Sequence, residues 1–284
     1  MENSSPFNLQ YSLKARIVIP VAMVILFIRF MSRALIPQME NIPVLFPQTE
    51  LFYAWVYKTG IIQFLVSDHW AGAVFDIVMF FSPLAFIITL RRPFIVLFWL
   101  LALTYFITYN IVTGHHYHGL IGVLIVTIPF FSKDEKRFNL LWEGARYYML
   151  YVFASAALWK ILRGSVFYTD QLSNILKAQQ LDLLLQDSDS ISGHIASYLI
   201  ANPQVGHVVL LINVLLQLSF AIGFFTKKYD RLLLVLVVLF TIGNYFVMSI
   251  ISVEILILAF TLLNWDKVQA LADKYMRKQK VTTA

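Results

Sequence analysis

From Leu232 to Leu263 the chain runs for 32 residues with a single charged side chain, Glu254. Backbone N–H and C=O groups in hydrocarbon find no water to bond, so a spanning segment must satisfy them internally, as a helix does. About 20 residues cross the hydrocarbon core, so this run is predicted to hold two short spans broken near Ser249–Glu254. Comparable apolar runs cover Lys14–Leu35, Trp70–Leu90, Phe94–Thr113, Leu120–Phe131, Leu141–Leu162 and Val208–Phe225. The expected fold is therefore all-α, a polytopic membrane bundle of about eight transmembrane helices. Composition agrees: 13% of residues are charged, against about 25% in soluble domains.

The segments between these runs have their own character. Residues 1–13 read as a polar arm. No small-x-small cleavage site follows the first apolar run; Arg29, Arg33 and Pro37 do, so a retained helix is expected. Pro37, Pro43 and Pro47 interrupt any helix over 36–50. Leu51–Val66 is aromatic but carries Lys58 and Gln63, which suits an interfacial helix. Within the long segment 163–205, Asp170–Leu185 and Ile191–Ile200 space their leucines and isoleucines by three and four, the pattern of amphipathic helices lying on a membrane. The whole of 1–284 is read as one transmembrane domain, embedded over about 14–265, with a basic tail over 266–284.

Charge sets the orientation. With the N-terminus in the cytoplasm, 16 of the 22 basic residues fall on inner loops and tails, including Arg91-Arg92, Lys133–Arg137 and Lys227–Arg231. An excess of cationic side chains marks the cytoplasmic side, so both termini are expected there. The same reasoning gives the basic pI of about 9.4 to membrane topology and not to nucleic acid. The chain has no cysteine, which excludes disulfides, thiolate metal sites and a cysteine nucleophile.

In that orientation several polar groups share an outer level. Arg29 and Asp76 each lie six residues from the outer ends of their helices, about 9 Å in. Asn110 and the cluster His115, His116 and His118 end the third helix, Lys160 the fifth, and Glu254 opens the eighth. Charge at membrane depth costs several kcal/mol unless paired or wet. An outward-facing polar chamber is one expectation. The plainer ones are an Arg29–Asp76 ion pair, a capping role for Glu254, an interface cap at Asp68-His69, and surface positions for His194 and His207. No carboxylate stands within a turn of the histidines, so a metal site of the Glu-x-x-His kind is not expected. Neither a Gly-x-Ser-x-Gly elbow nor a glycine-rich nucleotide loop occurs.

Arg29-Phe30, the Asn110-to-Leu120 turn ending His118-Gly119-Leu120, the helix Tyr151–Leu162 with Lys160 near its end, and Phe240–Asn264 with Asn244 and Met248-Ser249-Ile250 come in a suggestive order. Together they resemble the membrane domain of vitamin K-dependent gamma-glutamyl carboxylases and the broader HTTM family, with DoxX-like quinone-associated proteins further off. The resemblance implies a quinone or hydroquinone cofactor and a base at Lys160, with His115, His116 and His118 positioning or relaying protons. Arg29, Asp76, Asn110 and Glu254, by their shared level, and Asn244, by the resemblance, are the expected substrate-binding residues of the chamber. A lysine in an apolar setting suits that role, because little water is there to hold its ammonium form. Thr241 departs from the family's histidine. The family's large lumenal β-rich domain has no counterpart after the last helix, so a secreted or membrane partner is expected to complete the site. A bacterial inner membrane is the expected setting. The competing expectation is a non-catalytic membrane subunit whose segment 163–205 docks a partner.

Overall fold

A computed structural model describes residues 6–39, 51–113, 120–248 and 253–282. Every regular element among them is helical: α1 (Pro6–Met31), α2 (Leu51–Lys58), α3 (Ile61–Ser67), α4 (His69–Thr89), α5 (Arg92–Thr113), α6 (Ile121–Thr127), α7 (Glu135–Leu162), α8 (Gln171–Gln179), α9 (Leu181–Gln186), α10 (Ile191–Ala201), α11 (Pro203–Ser219), α12 (Asp230–Met248), α13 (Val253–Ala259) and α14 (Trp265–Thr282), with short 3-10 turns between some of them. Five stretches are long and apolar enough to cross a membrane: Phe7–Met39, His69–Thr89, Arg92–Val112, Pro203–Phe224 and Asp230–Met248. A sixth is counted if Ile255–Leu262 and Trp265–Lys274, bent by 83°, form one broken span. These helices are compatible with an integral membrane protein. The expected eight includes two more, over α6 and α7. The apolar stretch Ile121–Phe131 is short, and α7 carries Arg146 and Lys160 within its apolar part.

The chain divides into two compact units, residues 1–142 with 264–284, and residues 143–263. In the first, α4 and α5 form a helical hairpin across Leu90, which takes a left-handed φ of 52° and closes the end of α4 by donating its N–H to Phe86 O. Asp68 opens α4 as the sequence suggested, its Oδ1 accepting from the N–H groups of Trp70 and Ala71. The stretch expected to be interfacial is two helices, because Gly60 breaks it with a φ of 76°. Tyr105 Oη donates to Ala34 O, tying α5 to the turn after α1.

The polar arm expected over 1–13 is helix from Pro6 onward. Phe7, Tyr11 and Lys14 follow one another at spacings of four and three, so they share a face. Tyr11 packs on Phe130 and Phe138 and donates to Phe130 O at 2.9 Å. Lys14 is buried beneath the rings of Phe138, Trp142 and Trp265, with Nζ 4.7 to 5.7 Å from their centroids. Apolar and aromatic burial carried the helix back through residues that composition alone marks as polar.

In the second unit, α7 and α11 run antiparallel, and their register is set by large contacts. Phe153 stacks on Phe220 with centroids 4.3 Å apart. Leu150 sits so close to Gly223 that a Cβ there would meet its Cδ2 at 2.5 Å. Beyond Ala157 an apolar core of Leu172, Leu176, Leu199, Leu210 and Val214 joins α8, α10 and α11 over the end of α7. The segment expected to be amphipathic is helical, and part of it is core.

Candidate functional site

Arg146 and Lys160 stand fourteen residues apart on α7, close to four full turns, so both face the same side. Arg146 is only 2% exposed. Its Nε donates to Asp230 Oδ2 at 3.0 Å and its Nη2 to Asp230 Oδ1 at 2.6 Å, a two-point ion pair. The same Nη2 also donates to Gly223 O at 3.0 Å. Arg146, one of the 16 cations counted on the cytoplasmic side, was not expected to pair in this way. The signal was its position inside an apolar run.

Lys160 is half-buried, and its Nζ donates to Gln217 Oε1 at 2.6 Å. Gln217 is 4% exposed and stands fourteen residues into α11, about 21 Å along its axis. Lys160, near the end of α7, therefore meets α11 far from the start of that helix. Among the described residues no carboxylate pairs with it. The sequence clue to Gln217 was a lone polar residue within Val208–Phe225.

Asn244 lies on α12 of the same unit and is half-buried. Glu254 is the second residue of α13. His194 is exposed as expected, but His207 is half-buried, and its Nδ1 is buried with no hydrogen-bond partner among the described residues.

The remaining expected site residues belong to the first unit. His115, His116 and His118 lie outside the described residues. No ion pair joins Arg29 to Asp76 among the described residues, which corrects the expectation that these two pair with each other. The Arg29 guanidinium lies over the Tyr109 ring, 5.2 Å from its centroid. Asn110 is buried, and its Nδ2 donates to Phe106 O one turn back on α5 at 2.8 Å.

Asp76 has a different setting. At Gly72, one turn earlier on α4, a Cβ would come within 2.9 Å of Leu65 O and 3.0 Å of Ile36. Only glycine lets the turn after α1 approach so closely, and that approach brings the Ile36 N–H to the Asp76 carboxylate. The residue is 7% exposed, yet its Oδ1 is buried with no hydrogen-bond partner among the described residues. It lines a cavity of about 310 Å³ whose other walls are largely apolar, among them Phe30, Leu35, Pro37, Ala73 and Phe80.

No family model, curated protein or solved structure matches the chain.

Proposed function

We propose that the chain is an eight-span membrane protein of the gamma-carboxylase-like, HTTM kind, with both termini cytoplasmic. In this reading it binds a quinol or another lipid-like substrate from the outer side, beside Lys160, and a partner chain completes the site. The observation that carries the reading is the Lys160–Gln217 contact. A carboxylate partner would hold the lysine as an ammonium; an amide oxygen orients the amine without adding a counter-charge. Lys160 then takes the proton of a quinol hydroxyl, giving an ammonium and a quinolate. Asn244 and Glu254 of the same unit are the substrate-lining candidates. The sequence resemblance noted above supplies the substrate class.

A specific observation favours a second reading, in which the chain is a non-catalytic subunit. Phe167, Tyr168, Leu181, Leu185 and Ile191 of the segment 163–205 are exposed, a surface suited to a partner or a headgroup layer.

Anaerobic titration of the purified protein with a short-chain menaquinol separates the two, because ionised and neutral quinols absorb differently. The parent is expected to bind and to produce quinolate. Lys160→Arg is expected to fold without producing it, since arginine keeps its proton. Quinolate formed equally by Lys160→Arg, or no binding by the parent, would overturn the enzymatic reading.

A further inference from the structure

We propose that the cavity beside Asp76 binds a membrane-soluble alcohol, an apolar body with a single free hydroxyl, which enters from the bilayer. The proposal concerns the first unit alone and does not rest on Lys160. Its basis is an unpartnered acceptor on a residue that lines the cavity. An unsatisfied buried acceptor costs about 1–3 kcal/mol, more when charged, and Asp76 Oδ1 is such an acceptor among the described residues.

The other polar wall, Gln38, is already committed. Its Nε2 donates to Phe30 O and its Oε1 accepts from Leu35 N–H, both at 3.1 Å. Among the described residues that line the cavity, Asp76 is the one with a buried polar atom lacking a partner, and so the group best placed to recognise a ligand's head. A hydroxyl brings one donor to that one acceptor, and its own oxygen can accept if the carboxyl is protonated. An ammonium would bring three donors and strand those left over in an apolar pocket. A ketone, ester or ether brings no donor.

The walls and the mouth identify the body of the ligand. About 310 Å³ is near the lower limit of small-molecule sites, roughly 300–1,000 Å³, enough for the head and the first part of a chain. Phe30, Ile77 and Phe81 line the cavity and are themselves about half exposed or more. They stand on helices long and apolar enough to cross a membrane, so the mouth opens where lipid chains run. The rest of the ligand stays in the bilayer. Two sources share this chemistry, a single-chain long alcohol and a diacylglycerol.

The test is photolabelling of the full chain in phosphatidylcholine liposomes. Four diazirine probes with equal acyl chains are used: a C16 alcohol, its methyl ether, the C16 amine and a diacylglycerol. The alcohol, the diacylglycerol or both should label peptides spanning 30–38 and 73–81, and their ratio identifies the source. Asp76→Ala should lower that labelling by about tenfold, the worth of one hydrogen bond to a buried carboxyl. Should Asp76→Ala fail to fold, Ala73→Phe fills the cavity, leaves Asp76 in place and should abolish the same labelling. Equal labelling by the ether, stronger labelling by the amine, or labelling that survives both variants would overturn the proposal.

Discussion

The two cations of α7 that face α11 and the turn after it are closed in opposite ways. Arg146 is met by a carboxylate at two points and by a backbone carbonyl, all within 3.0 Å. Lys160, four turns along the same helix, is met by one neutral amide. A buried ion pair with its bonds satisfied has nothing left to offer a substrate, and removing one member strands the other. A half-buried amine held by an amide gains no counter-charge from it. The same helix face thus holds an ion pair at one end and, among the described residues, an amine without a carboxylate partner at the other.

The largest effect is expected where the pair is broken. Arg146→Met should cost about 3–5 kcal/mol, because Asp230 loses its counter-charge, and thermal melting in detergent measures it. Pairing that change with Asp230→Leu should restore most of the loss. A single variant that melts like the parent would remove the contrast between the two ends of α7.

A smaller loss is expected at the other end. Gln217→Leu takes away the acceptor of the Lys160 amine and should cost about 1–3 kcal/mol in the same melt. A cost as large as that of Arg146→Met would mean that the amide holds the helix as firmly as the ion pair does.

The smallest change is expected at Asp76, a buried carboxylate with no cation paired to it among the described residues. Asp76→Asn should shift stability by about 1 kcal/mol or less, since only the loss of a paired charge carries the larger penalty. A shift of several kcal/mol would show that the residue is paired after all, as its sequence position first suggested.

That suggestion marks the limit of what the sequence could carry. Depth along a helix follows from counting residues, and counting put Arg29 and Asp76 at one level. Which way each points depends on the rotation of α1 against α4, set by Gly72 and the tight turn at Ile36, which no count reveals. Lys160 was likewise placed by the end of its own helix. Its partner follows from the register of α7 on α11, fixed by Phe153 on Phe220 and by the space left at Gly223. Local signals were legible: the Asp68 cap, the amphipathic helices after Asp170, and the apolar runs themselves. The start of α1 was misjudged because Phe7, Tyr11 and Lys14 bury their face only once Phe138, Trp142 and Trp265 are brought beside them.

Gln217→Glu tests most directly whether Lys160 is kept without a counter-ion in order to act as a base. The substitution gives Lys160 the kind of partner that Arg146 has, at nearly the same shape. In the anaerobic menaquinol titration the parent should yield quinolate, while Gln217→Glu, folded and melting no lower than the parent, should yield none. Quinolate formed by Gln217→Glu at the parent's level would contradict the account.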